Sequence, residues 1–147
     1  MRVIRGSLKG RKIEIPIDRY TRPLRDMVRE SIFNIIEHSE GIKINLKNAK
    51  VLDLFSGTGS FGIECLSRGA SEVFFFENYN ISLKILRKNL SKLSLEKKTK
   101  VFEKNIYEID ANLFNNKKFD IIFLDPPFND DKVVSLINKI KKLDIIS

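Results

Sequence analysis

Val51-Leu52-Asp53-Leu54-Phe55 leads into Ser56-Gly57-Thr58-Gly59-Ser60-Phe61-Gly62 and then into the helical run Ile63 to Arg68. A buried apolar strand, a glycine turn and a helix in this order allow few folds. Together they make the nucleotide-binding opening of a parallel α/β sheet. Glycines let the backbone approach a ligand closely, and a helix N-terminus supplies free N–H groups. Gly57-x-Gly59-x-x-Gly62 also fits the dinucleotide fingerprint, so a nicotinamide enzyme stays in view. Glu77 ends the next apolar run, Val73 to Phe76, about twenty residues on, where an acid can bind ribose hydroxyls. NAD and S-adenosylmethionine both carry an adenosine ribose, so Glu77 does not separate them.

The rest of the chain repeats the alternation. Strands are predicted over 50–54, 72–76, 99–103 and 119–124, and helices over 24–37, 60–68, 80–92 and 130–142, with a short helical turn near 107–113. Such an order implies a parallel sheet with crossover helices. Val28, Ile32, Ile35 and Ile36 form the apolar stripe predicted for the first helix. Ile81, Ile85, Leu86 and Leu90 form that of helix 80–92, with Lys84, Arg87, Lys88 and Lys92 on a solvated outer face. Segments 2–5 and 11–15, around Gly6 and Gly10, predict a small hairpin ahead of the domain. The expected organisation is a basic hairpin arm over 1–20 and an α/β domain over 21–147.

Charge is uneven along the chain. Of its 27 Lys and Arg, nine fall within residues 1–29, against Glu14, Asp18 and Asp26. A net +8 concentrated in this way suits phosphate-backbone binding, although a merely solvated basic arm has the same composition. The single cysteine, Cys65, excludes an internal disulfide and fits a reducing cytoplasm. With His38 the only histidine, neither a histidine–cysteine metal site nor a Ser-His-Asp hydrolase is expected. No apolar stretch is long enough to span a bilayer, and the basic N-terminus lacks the apolar core of a signal peptide.

Asp125-Pro126-Pro127-Phe128 directly follows the apolar run Ile121 to Leu124. Proline donates no N–H and stops the ladder, yet its carbonyl still accepts. An ionised Asp125 only accepts. Two acceptors side by side can hold both N–H bonds of a planar exocyclic amine, and Phe128 offers a face for the ring that bears it. The plain alternative is a strand end with a proline-stopped turn.

With Asp53 in the glycine strand, Glu77 after the second and Asp-Pro-Pro-Phe after the fourth, the chain resembles class I S-adenosylmethionine-dependent methyltransferases acting on amino groups. Arg2-Val3-Ile4-Arg5-Gly6-Ser7-Leu8-Lys9-Gly10-Arg11, the segment Thr21 to Asn34, and Leu52 to Gly59 are similar to bacterial 16S rRNA guanine-N2 methyltransferases of the RsmD family. The likeness runs from Arg2 to about Phe128. Leu24 and Met27 replace the family's usual Thr and Arg, and Asn105 stands where an acid is common. The chain ends at Ser147, where a fifth strand and the rest of the sheet are expected to follow.

The resemblance implies a Rossmann-like sheet, an S-adenosylmethionine cofactor and methyl transfer to a guanine N2 amine of 16S rRNA. The implied setting is a small-subunit assembly intermediate in the cytoplasm, with the protein a monomer. Asp125, Pro126, Pro127 and Phe128 are then the catalytic grip. Asp53, Ser56, Gly57, Thr58, Gly59, Glu77, Asn78 and Asn105 bind the cofactor, and Arg2, Arg5, Lys9, Arg11, Lys12, Arg22, Arg25 and Arg29 bind RNA, with no metal. A DNA or protein amino-group methyltransferase and a non-catalytic RNA-binding module remain the alternatives.

Overall fold

Lys50–Leu54 (β1) and Glu72–Phe76 (β2) bury every residue after the first. Strands buried on both faces need partners at either side and helices above and below. The computed structural model describes all residues except 19–23, Lys43 and Phe128, and it supplies both. β1 and β2 are flanked by Thr99–Phe102 (β3) and Ile121–Leu124 (β4) in the order β3-β2-β1-β4, parallel throughout. This is the Rossmann-like sheet expected.

Side-chain alternation along the strands sorts two cores. Val51, Val73, Phe75 and Ile121 face helices Asp26–His38 (α1), Ser60–Ser67 (α2) and Asn80–Lys92 (α3). Leu52, Leu54, Phe74, Phe76 and Phe102 face Val133–Lys142 (α4) and two 3-10 turns, Ile106–Glu108 and Ala111–Phe114. Those turns stand where one helical turn near 107–113 is predicted, and the side chains of Asn105 and Asp110 cap them through Tyr107 N–H and Asn112 N–H. α4 begins three residues later than predicted, because Asp130 accepts from the Lys132 N–H. β4 begins two residues late: Phe119 instead bridges Ile146 in parallel, with Phe119 N–H donating to the Ile145 carbonyl and Ser147 N–H to that of Phe119. No helix among the described residues is long and apolar enough to cross a membrane.

Two helical stripes differ from the periodicity reading. On α1, Arg29 and Phe33 are buried, while Val28 and Ile35 are 45% and 53% exposed. Phe33 sets the rotation by stacking on Phe61 of α2 at 5.1 Å. On α3, Leu83, Leu86 and Leu90 face the core with Ser82 and Asn89, and Ile81 is exposed.

The N-terminal arm is the small hairpin expected, closed by a single antiparallel bridge. Arg2 and Lys12 form that bridge, supported by Val3 N–H to the Arg11 carbonyl, Gly10 N–H to that of Val3 and Ile13 N–H to that of Met1. The intervening backbone bonds to α2 instead. Ile4 and Arg5 N–H each donate to one oxygen of Glu64 at 2.9 Å, and Ser7 N–H donates to the Ser67 carbonyl at 2.8 Å. Leu8 N–H donates to the Ser67 hydroxyl, which itself donates to the Arg5 carbonyl. Glu14 is gripped by Lys88 and Lys92 at 2.8 and 2.6 Å, so that part of the outer face of α3 is a docking surface. The two ammoniums pull the Glu14 carboxyl down to about 2.

Gly6 is the tightest point of this seam. Its φ is +89°, and an added Cβ would stand 1.9 Å from the Ser67 carbonyl oxygen. Gly10 has φ +81° with nothing within 4 Å. Gly10→Ala should therefore cost only left-handed strain, about 1–2 kcal/mol, and Gly6→Ala clearly more. Urea melts of the two variants measure the difference, and equal losses would mean that the arm is not seated on α2.

Candidate active site

β1 ends at Leu54 and the chain reverses through Phe55 and Ser56 into the glycine turn. Phe55 adopts φ +57°, a left-handed conformation that costs a non-glycine residue about 1 kcal/mol or more. Gly59 is the N-cap of α2 with φ +85°, and its N–H donates to the Ser56 carbonyl. A Cβ there would meet Leu86 at 2.5 Å, and one at Gly62 would meet the Phe75 ring at 2.4 Å. Small residues thus let α2 press onto the sheet, leaving the strand ends open beside its first turn.

A cavity of about 810 Å³ fills that opening. Asp53, Ser56, Gly57, Thr58, Glu77, Asn78 and Asn105 line it, as do Asp125, Pro126 and Pro127. Gly59 does not. It shapes the turn rather than the wall. Phe128 lies outside the described residues, and so does Arg22.

Asp53 is buried and accepts from Gly62 N–H at 3.2 Å. Burial pushes its carboxyl well above the usual range, and the Asp125 and Glu77 carboxylates push it further. Glu77 gathers three backbone donors: Gly57 N–H on Oε2 at 2.8 Å, and Asn78 and Tyr79 N–H on Oε1 at 2.9 and 2.8 Å. It therefore ties the glycine turn to the end of β2, and each oxygen keeps acceptor capacity toward the cavity. Ser56 spends its hydroxyl on the Phe76 carbonyl. Asn105 Oδ1 already caps Tyr107 N–H, leaving its amide N–H₂ and a second lone pair. Burial also raises the Asp125 carboxyl.

Several wall residues carry no motif in the sequence. Phe61 stacks on Phe123 at 3.8 Å, forming an aromatic wall between α2 and β4. Tyr107 sets its ring against the edge of Phe55 at 6.2 Å and donates its hydroxyl to Asp130. Burial and that bond push the phenol up to about 12, while the bond holds Asp130 below its ordinary value. A tyrosine two residues past Asn105 was the available signal. Asn89, buried on α3, bonds both backbone groups of Glu14 and donates to the Thr58 carbonyl, joining arm to glycine turn through one side chain.

Of the arm cations, Arg2, Arg5, Lys9, Arg11, Lys12 and Arg25 are exposed. Arg29 is a correction: it is fully buried, donating to the Arg2 carbonyl at 2.5 Å and to Asp26 at 3.0 Å. It holds the start of the arm from beneath and is closed to phosphate. Arg11 reaches the Lys92 carbonyl and Arg2 the Gly10 carbonyl, and both remain on the surface.

A Rossmann-like sheet with an acid-lined cavity at its carboxyl ends defines a class I methyltransferase fold. A family model described as conserved hypothetical protein 95 matches residues 1–147. The chain belongs to that family, which is the family of ribosomal RNA small subunit methyltransferase D. YlbH of Bacillus subtilis strain 168 is 35% identical over 148 residues, spanning 99% of this chain and 77% of its own. The protein named ribosomal RNA small subunit methyltransferase D in Escherichia coli K12 is 32% identical, over 94% of this chain and 65% of its own. The solved structure of Escherichia coli yhhF has a TM-score of 0.79 at 29% identity, covering 100% of this chain and 75% of its own. The chain thus spans about two thirds to three quarters of these relatives.

An acid whose pKa is raised by folding keeps its proton in the native state after the unfolded chain has lost it. Stability then falls as pH rises from the unfolded value through the folded one. Asp53→Asn keeps an acceptor for Gly62 N–H and should remove up to about 1.4 kcal/mol per pH unit from that decline. Urea melts from pH 4 to 7 test this, and an unchanged slope would show that Asp53 ionises normally.

Proposed function

We propose that this chain transfers a methyl group from S-adenosylmethionine to the exocyclic N2 amine of a guanine in 16S rRNA, within a small-subunit assembly intermediate. The observation that carries the reading is that Asp53, Glu77 and Asp125 share one cavity with Gly57 and the Pro126–Pro127 turn. Four carboxyl groups, Asp53, Glu77, Asp125 and Asp130, with Lys104 the one cation among the wall residues described, favour a ligand with positive charge at its centre, and such a charge draws the buried Asp53 toward its ionised form. NAD brings a pyrophosphate into this wall and is disfavoured. S-adenosylmethionine brings a sulfonium and an amino acid, and its adenosine has Glu77 for the ribose hydroxyls and Asn105 for the adenine edge. The cavity falls within the ordinary range of ligand sites, roughly 300–1,000 Å³. When bound, the cofactor supplies an electrophilic methyl group.

The chain's own residues supply the rest. Asp125 and the Pro126 carbonyl accept the two N–H bonds of the amine and turn its lone pair toward the donor. A guanine N2 amine is a poor nucleophile because its lone pair is delocalised into the ring, so orientation accounts for most of the effect. As charge develops on nitrogen, the Asp125 carboxylate stabilises it and receives the proton. A raised pKa makes Asp125 a stronger proton acceptor than an ordinary carboxylate. The base must be unpaired or flipped out to enter. Phe128 is assigned the stacking face, and the exposed cations Arg2, Arg5, Lys9, Arg11, Lys12 and Arg25 the phosphate backbone.

Isothermal calorimetry with S-adenosylmethionine and with NAD tests the cofactor, and binding of NAD alone would overturn the reading. Glu77→Ala should cost about 1.5–3 kcal/mol of cofactor affinity. Asp125→Ala should abolish most transfer to 16S rRNA while changing cofactor affinity only a few-fold. The wild-type rate should rise with pH along a limb set by Asp125, above the usual carboxylate range. Undiminished transfer by Asp125→Ala would sink the amine grip.

Replacing Arg2, Arg5, Arg11 and Lys12 with neutral residues should flatten the salt dependence of RNA binding by roughly 0.7–0.9 log unit for each phosphate that is no longer neutralised. Cofactor affinity should stay unchanged. An unaltered salt slope would leave these four cations as a solvated face.

A further inference from the structure

Lys97, Lys98, Lys100 and Lys117 line a second cavity, of about 440 Å³, at the opposite end of the sheet from the candidate active site. Glu72 and Thr99, which open β2 and β3, lie in its wall, whereas the first cavity lies where the strands finish. A five-residue strand puts the two roughly 15 Å apart.

Local structure makes the lysines converge. The 3-10 turn Glu96–Lys98 presents Lys97 and Lys98 immediately before β3. The register pairs Lys100 with Phe74, so its side chain emerges on the face of Phe74 and Phe102. Lys117 arrives from the turn that follows Ala111–Phe114. Phe74, only 8% exposed, is the floor. Lys117 Nζ stands 4.8 Å from its ring centroid, and Lys100 Nζ stands 5.9 Å from it and 5.1 Å from that of Phe102. Aromatic faces attract both ammoniums and leave them at the rim.

The charge is not balanced. Lys117 pairs with Glu72 at 2.7 Å, whereas among the described residues Lys97, Lys98 and Lys100 pair with no carboxylate. Glu96, exposed on the same turn, is the acid nearest in sequence. Three free ammoniums around a concave surface will draw a polyanion.

We propose that this groove is a second contact for the RNA sugar–phosphate backbone, separate from the N-terminal arm. The proposal rests on the rRNA reading above. The donor set distinguishes a backbone track from a site for a small phosphate ligand. All four cations are lysines, which act as mobile point charges and lack the planar fork that chelates one phosphate. The arm packs on α2 and α3, over one face of the sheet, while Lys100 and Phe74 emerge on the other. An RNA that touches both must pass around the sheet from one face to the other. The substrate is therefore a folded rRNA and not a short strand.

The test uses the full chain and the triple variant Lys97→Gln, Lys98→Gln, Lys100→Gln, with transcribed 16S rRNA titrated between 50 and 200 mM KCl. If the three lysines neutralise three phosphates, wild type should fall roughly 20- to 40-fold further in affinity across that range than the variant. Thermal melting and S-adenosylmethionine affinity should match wild type, and a short hairpin carrying the target guanine should bind both proteins alike. Equal salt slopes on 16S rRNA would overturn the groove alone. Micromolar binding of pyrophosphate that the variant abolishes, with equal rRNA slopes, would make it a small-anion site and also overturn the proposal. A wild-type chain that binds no rRNA would instead overturn the reading on which it rests.

Discussion

The close approach of α2 to the sheet is the constraint on which the site depends. Gly62 lies against the rings and branches of Phe75 and Val73, with no room for a side chain. Its N–H is held by Asp53 from the neighbouring strand. Helix and strand end are thereby locked at one distance. The turn between them must leave the plane of the sheet, and Phe55 takes up a left-handed conformation to do so. The cavity is what that detour leaves open. Asp53 is placed by the same contact in surroundings that disfavour its ionised form.

A second consequence is that the basic arm and the cavity belong to one rigid frame. α2 begins at the glycine turn and carries Glu64 and Ser67 one and two turns later, where they take the arm's backbone N–H groups. Asn89 closes the frame from α3 by bonding Glu14 and Thr58 together. Arm charges are exposed at the surface, but their backbone is as well anchored as a strand. An RNA held by them is held at a fixed distance from the carboxyl ends of the sheet.

Electrostatics divides along the same lines. A protein of net charge +8 gathers four carboxyl groups and a single lysine among the described residues of its cavity and sends most of its cations outward. The outside suits a polyanion, and the inside suits a ligand with a cationic centre and an amine to be held. Arg29 is one exception. Its guanidinium is buried under the arm, with no partner for Nε or Nη1 among the described residues, and burial lowers its pKa.

Strand and helix order, the parallel sheet and most element limits were legible in the sequence. They rest on periodicity and on glycine and proline, which act over a few residues. Residues 50–54, 72–76 and 80–92 fold as read because local propensity and burial agree there. The cavity's motif residues were legible for the same reason, each lying at a strand end or a glycine turn. Tertiary structure decided what no short window contains. Phe33 stacking on Phe61 rotated α1, taking Arg29 inward and leaving Val28 and Ile35 outside. Glu64 and Ser67 took the N–H groups of Ile4, Arg5, Ser7 and Leu8, so the hairpin is docked on α2. Tyr107 met Asp130, and Asn89 met Thr58, across contacts far apart in the chain. A sequence lists which groups can donate, accept or stack. Which of them meet is set by the packing of distant segments, because each buried polar group must find a partner among whatever the fold brings near.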